Sequence, residues 1–423
     1  MTNKIKLIYI KVYSNYILEK EIKKTGGEEM NNFIKKLLLM ILVTGSMAVL
    51  LNLPVSAQTA NQIPRKIVVF QENFVNEPAQ IELLRGVGAV IIKPLPLIRA
   101  VAVYLPPQAE RALEGRSEIL RIDDDLVISA IAKPRPPPQP AEELPWGVDR
   151  IDADLAWATT KGLAIKVAIL DTGIDLDHLD LQANIKGNVN TINPSKSGND
   201  DNGHGTHVAG TVAAVDNEIG VIGTGPEIYL YAVKVLDRTG SGWLSDLIEG
   251  LDWCINNKMK VVNMSLGSSS DNQSFHDAII KTYQAGITQV AAAGNNGASG
   301  GAITYPAKYD ETIAVSAIDK YDQLASFSSY GPEIDLTAPG VDINSTYNNG
   351  YYKVLSGTSM ACPHVTGTAA LVLSTSVGSY DLDADGIWDP AEVKSKLQAT
   401  AQKLNLLPEE QGAGLVKADS ATK

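Results

Sequence analysis

Val354-Leu355-Ser356-Gly357-Thr358-Ser359-Met360-Ala361-Cys362-Pro363-His364 sets a serine where a glycine-containing turn becomes a helix. The helix is the apolar run Val365-Thr366-Gly367-Thr368-Ala369-Ala370-Leu371-Val372-Leu373. Pro363 is expected in its first turn, where a missing N–H costs nothing. A hydroxyl at such an end lies beside unpaired backbone N–H groups and the positive end of the helix dipole. Those donors can hold the oxyanion that forms when the hydroxyl attacks a carbonyl. In isolation an ordinary Ser/Thr helix cap is the better reading. The segments upstream decide the matter.

Apolar runs at 166–170, 229–236, 261–266, 287–293 and 312–318 predict buried parallel strands, with helices near 207–214, 244–257 and 274–285. This alternation predicts an α/β fold, a doubly wound and mostly parallel sheet whose sites gather at the carboxyl ends of strands. Three polar groups fall at such ends. Lys166-Val167-Ala168-Ile169-Leu170-Asp171-Thr172-Gly173 ends a strand in a carboxylate, which alone would be a turn or cap residue. Asn202-Gly203-His204-Gly205-Thr206-His207-Val208-Ala209-Gly210-Thr211 leads through glycines into a helix with two histidines. A His-x-x-His pair without an acidic neighbour makes a poor zinc site. Val290-Ala291-Ala292-Ala293-Gly294-Asn295-Asn296-Gly297 puts an amide at a third strand end.

Asp, His and Ser, each in a glycine-rich turn, suit nucleophilic acyl transfer. A hydroxyl is too weak an acid to attack unaided, so an imidazole takes its proton and a buried carboxylate fixes that imidazole's tautomer. With that chemistry in view, Asp171-Thr172-Gly173, His204-Gly205-Thr206-His207-Val208-Ala209-Gly210-Thr211, Gly294-Asn295 and Gly357-Thr358-Ser359-Met360-Ala361-Cys362-Pro363-His364 resemble the subtilisin-like serine proteases. The resemblance runs from about Trp146 to the C-terminus. It implies a serine endopeptidase in which Asp171 orients His204, His204 is general base then acid, and Ser359 is the nucleophile. Asn295 would supply the oxyanion donor, and His207 would be structural. Ser241-Gly242 and Ser265-Leu266-Gly267 would be the two edges between which a peptide lies as an added strand. Leu236, Leu244 and Leu266 would line an apolar pocket upstream of the cut. Thr304 stands where many relatives have glycine, so the pocket for the residue before the scissile bond is expected to be shallower. A cell-surface binding protein that keeps the fold without turnover is the alternative, and the intact set of four residues speaks against it.

The 423 residues carry 36 basic and 48 acidic side chains, unevenly spread. Residues 1–57 stand at +4, residues 58–140 at +1 and residues 141–423 at −17. Such an acidic body argues against nucleic acid as a partner and suits a protein that holds calcium. Cys254 and Cys362 are the only cysteines, each in an apolar helical pattern, so no disulfide framework is expected. Cys362 lacks the surroundings of a nucleophile that Ser359 has.

Lys35-Lys36, the apolar run 37–43 and Val55-Ser56-Ala57 predict a secretory signal peptide within residues 1–57 rather than a membrane span. Met30 would give that peptide an ordinary length and is the expected true start. Residues 64–132 read as a small α+β unit, with strands at 65–70, 89–93, 99–105 and 119–131 and helices at 77–86 and 107–113. By the family resemblance, carried by Ile98-Arg99-Ala100-Val101-Ala102-Val103 and Asp123-Asp124-Asp125, residues 58–133 are an inhibitory propeptide removed by the enzyme itself. The Pro-rich linker 134–141 marks the boundary, with the cut expected between Ser129 and Ala141, and 142–423 is the peptidase domain. The implied protein is a secreted monomer, with retention at the cell wall left open, acting on protein or peptide substrates.

Calcium is expected twice. Asp381-Leu382-Asp383-Ala384-Asp385-Gly386-Ile387-Trp388-Asp389-Pro390-Ala391-Glu392 has carboxylates at positions 1, 3, 5, 9 and 12 and glycine at 6, as an EF-hand loop does, with the Ile387 carbonyl at position 7. Five carboxylates in one loop repel unless a hard cation sits among them. A helix is expected after it, at 391–401. By resemblance, Asp180, Asn217, Glu142 and the carbonyls of Val215, Ile219 and Val221 form a second, tight site.

Overall fold

Val167 and Ile169 turn to one side of their strand and Ala168 and Leu170 to the other, and all four are fully buried. An apolar run without alternation is what a parallel strand covered on both faces requires. The computed structural model describes residues 63–74, 76–130, 133–134, 141–297 and 300–423. The signal peptide, Met30 and most of the Pro-rich linker lie outside these residues.

The first elements are β1 (Arg65–Phe70), α1 (Glu77–Gly86), β2 (Val90–Leu95), β3 (Ala100–Tyr104), α2 (Pro107–Leu113) and β4 (Ile119–Asp124). The four strands form an antiparallel sheet in the order β2-β3-β1-β4. Val68, Phe70, Val101 and Val103 face Leu84 and Leu113 of the two helices and make a small core of their own. Ile67, Val69, Ala100 and Ala102 point the other way, into the core of the large body.

After β5 (Val127–Ala130) and β6 (Lys133–Pro134) come β7 (Lys166–Asp171), β8 (Ile185–Asn190), α3 (His204–Ala213), β9 (Tyr229–Lys234), β10 (Ser241–Trp243) and α4 (Leu244–Asn256). Next are β11 (Val261–Met264), β12 (Leu266–Gly267), α5 (Gln273–Gln284), β13 (Thr288–Ala292), β14 (Ile313–Ile318) and β15 (Leu336–Pro339). Then follow β16 (Ile343–Tyr347), β17 (Tyr351–Ser356), α6 (Thr358–Leu373) and α7 (Pro390–Ala399), with short helical turns at Pro408–Gln411 and Ala418–Ala421 after them. Seven strands form one parallel sheet, ordered β15-β14-β13-β11-β7-β9-β8. Val208 and Val212 of α3 and Val365 and Val372 of α6 cover one face. Leu247 and Leu251 of α4 and Phe275 and Ile279 of α5 cover the other, each such side chain contributing roughly 1.5–3 kcal/mol when buried. The sheet is doubly wound, and the order reverses beside β7, where such folds open a crevice.

Three expectations need correction. The strand expected over 119–131 is two strands in different sheets, because Asp125 turns aside to the start of α4. Its carboxylate accepts from Ser245 N and Oγ, both at 2.8 Å, where helix N–H groups lack partners. Helix α6 starts at Thr358, since Asn295 Oδ1 accepts the Thr358 N–H at 3.0 Å, so Pro363 falls in its second turn, not its first. Sequence also missed the sheet's two edges: β8 is half polar and β15 is four residues ending in proline. Among the described residues no helix is long and apolar enough to cross a membrane.

Candidate active site

Strand β7 ends on Asp171, fully buried, whose Oδ1 accepts the Thr172 N–H at 2.7 Å. Helix α3 begins on His204, held there by Asp200, which accepts from the N–H groups of Asn202, Gly203 and Thr206. The helix comes very close to the strand at Gly205, where a Cβ would lie 2.2 Å from Gly173 O. Only glycine permits that approach, and it brings His204 Nδ1 to 2.7 and 2.9 Å from the two oxygens of Asp171. Nδ1–H therefore donates to the carboxylate, and Nε2 keeps its lone pair, buried and without a hydrogen-bond partner. Burial opposes charge on this ring, but the charge and hydrogen bond of Asp171, with Asp200 behind it, outweigh that and raise its pKa above the ordinary value.

Ser359 is the second residue of α6, where the backbone N–H has no helical carbonyl to meet. Its Oγ donates to Ser265 O at 3.1 Å rather than to His204. Asn295 follows β13, and its Oδ1 accepts from Thr358 N at 3.0 Å and Thr358 Oγ1 at 3.1 Å. The amide is thus fixed with Nδ2 as its remaining donor. Thr358 and Asp200, which set these two orientations, were not singled out in the sequence, although Thr358 stands inside the deciding motif. His207 Nε2 lies 3.0 Å from the carbonyls of both Ile343 and Lys353, and burial pushes its pKa down to about 3. That is a neutral packing group. Cys362 is fully buried with its thiol pushed up to about 12, unsuited to attack.

Beside these groups, β10 and β12 do not pair with each other. Strand β5 lies between them, antiparallel to both, with Ser129 opposite Ser241, Ile128 opposite Gly242 and Ala130 opposite Leu266. Ile128 is fully buried in the same cluster as Leu236, Leu244 and Leu266. Further on, Lys133 lies opposite Ser356 and Pro134 opposite Leu355 on β17, just before Gly357-Thr358-Ser359. Thr304 is buried beside Gly267, its Oγ1 donating to Ala293 O at 3.2 Å.

The sequence profile of the subtilase family matches residues 162–414. The chain belongs to the subtilase family. It is 44% identical over 309 residues to the thermostable alkaline protease of Halalkalibacterium halodurans, covering 73% of this chain and 81% of that protein. It is 45% identical over 287 residues to subtilisin Savinase of Lederbergia lenta, 67% of this chain and all of that one. To subtilisin J of Geobacillus stearothermophilus it is 38% identical over 361 residues, 84% of this chain and 89% of that one. This subtilase is a serine endopeptidase and acts on protein substrates.

Two further places in the subtilase bear on metal. Asp180 is fully buried, its oxygens accepting from Asn217 Nδ2 at 2.8 Å and Val221 N at 3.0 Å. Asn217 Oδ1 accepts from Ile219 N, Asn217 N donates to Glu142, and Val215 N donates to Asp180 O. Burial, only partly offset by these hydrogen bonds, raises Asp180 to about 6. A cation beside this desolvated carboxylate would relieve that penalty, although Asp180 and Asn217 Oδ1 already accept hydrogen bonds here. In the acidic loop, Asp381, Asp383 and Asp385 bring carboxylate oxygens within 4.8 Å of one another. The expected set is not wholly assembled. Glu392, 1% exposed, uses its oxygens on the N–H groups of Leu382 and Asp389, and Asp389 caps the Glu392 N–H at 2.9 Å. The unpaired N–H groups at the start of α7 draw both carboxylates into this capping box.

Proposed function

We propose that this subtilase is a secreted, calcium-stabilised zymogen whose N-terminal unit, about residues 58–133, inhibits it until its own active site cuts the connection. One observation carries the reading: residues 127–130 of the chain fill the strand position between β10 and β12 that a substrate would take. Main-chain pairing gives such a segment affinity without regard to sequence, and side-chain pockets give preference. Ile128 meets the apolar pocket, and Thr304 favours a small or slender residue before the cut.

In the proposed reaction the Ser359 hydroxyl leaves Ser265 O, gives its proton to His204 Nε2 and attacks the substrate carbonyl. Asp171 stabilises the imidazolium, while Asn295 Nδ2 and the Ser359 N–H hold the oxyanion. His204 then protonates the leaving amine, and water repeats the sequence on the acyl-enzyme. Calcium, held by Asp180, Asn217 and Glu142 with neighbouring carbonyls, and by Asp381, Asp383 and Asp385, would supply charge balance and rigidity, not chemistry. A fluorophosphonate should label Ser359 of the processed enzyme, and neither Ser359→Ala nor His204→Ala should react. Labelling at full rate in His204→Ala would overturn the assignment.

A further inference from the structure

Pro363 has no N–H, so the carbonyl four residues before it, that of Ser359, loses its helical donor. The replacement comes from outside the helix: Ser265 Oγ donates to Ser359 O at 2.9 Å. Residues 265 and 359 are thus latched in both directions, since Ser359 Oγ donates to Ser265 O. A hydroxyl carries one proton, so Ser265 can serve Ser359 O only if its own remaining bond is one it accepts. Asn263 Nδ2 provides that bond at 2.9 Å.

Asn263 is itself unusual in its place. It lies in β11, paired with Ile169 on one side and Val290 on the other, and is fully buried. Its side chain meets α6, which otherwise offers this face of the sheet mainly apolar groups. An amide there is costly unless satisfied. Its Oδ1 accepts from Thr366 Oγ1 at 2.8 Å and from Cys362 Sγ at 3.3 Å, both fully buried. Oδ1 is thereby committed to the helix's second and third turns, and Nδ2 must face Ser265.

We propose that Asn263 is a positioning residue for acylation: by setting the direction of the Ser265 hydroxyl it holds the first turn of α6, and with it the nucleophile, in register with the substrate edge at 265–267. The inference rests on Ser359 being the nucleophile. It adds a requirement that lies two residues before the proposed substrate-binding edge and touches neither substrate nor His204.

Asn263→Asp keeps the shape but accepts the Ser265 proton, leaving Ser359 O without a donor. Ser265→Ala removes the donor and serves if the aspartate variant does not fold. With a chromogenic tetrapeptide anilide, and activity counted per fluorophosphonate-titratable site, each variant should lose between about tenfold and a hundredfold in kcat with KM within about twofold. Labelling rates should fall alike. In Asn263→Asp/Ser265→Ala there is no hydroxyl left to misdirect, so the double variant should be no slower than Ser265→Ala alone. Leu397→Ala, in the core beneath α7, should lower Tm and leave kcat intact. Wild-type kcat in either single variant, or losses that multiply in the double, would overturn the proposal. Absence of labelling in the wild type would instead sink the nucleophile assignment itself.

Discussion

Asn295 shows how much one side chain can carry at the residue scale. With Oδ1 tied twice to Thr358, its Nδ2 is oriented in advance, so in the proposed role its stabilisation of the oxyanion would need no rearrangement as charge develops. Asn295→Ala should lower kcat by about 10²–10³ and leave KM nearly unchanged. Steady-state kinetics on a peptide anilide test this, and a large rise in KM with intact kcat would contradict it. His204 makes a second prediction. In its proposed role as base it must be neutral to accept a proton, and Asp171 raises its pKa above 6.5. The acid limb of kcat/KM should therefore lie above pH 6.5, with activity lost as pH falls through it. Asp171, His204, Asn295 and Ser359, the proposed catalytic set, were visible as candidates because each sits in a short motif with glycines. Asn263 was not: inside an apolar strand it looks like any buried amide until Ser265 and Pro363 are placed around it.

At the element scale, the buried carboxylate of Asp180 gives its loop a pH dependence. Asp180 is raised to about 6 from 3.8, so between these values the folded protein binds more protons than the unfolded one. Stability from this group is present at low pH and is lost as pH rises through about 6. Calcium, if held there as proposed, would reverse the penalty by pairing with the ionised form. The calcium-induced rise in Tm should accordingly be larger at pH 8 than at pH 5, and EDTA should lower Tm more at pH 8. Scanning calorimetry decides, and equal shifts at both pH values would remove Asp180 from the metal site. For the loop at 381–392, Asp383→Asn should reduce the calcium-dependent part of Tm with little effect on kcat. The loop's acidic spacing was plain in the sequence. The use of Glu392 as a cap was not, since the same Asp-x-x-Glu spacing serves a metal loop and a helix start equally.

For the molecule as a whole, the decisive feature is the path of the chain through its own cleft. Ala130 lies against Leu266 and Lys133 against Ser356, so the bond placed over Ser359 should fall between Ala130 and Lys133. Mass spectrometry of the first processed product should find a new N-terminus at Ile131, Ala132 or Lys133, and Ser359→Ala should remain uncut. A first product beginning at Ala141 would contradict the register. Sequence alone determined the α/β alternation, the five central strands and the motifs proposed to bear chemistry, because burial on two sheet faces and sharp glycine turns leave periodic and local marks. It could not determine which distant loops meet, where residues 119–131 break between two sheets, or what replaces the bond that Pro363 removes. Those depend on partners 33 to 120 residues away, and a hydrogen bond across such a separation leaves no pattern in either segment taken singly.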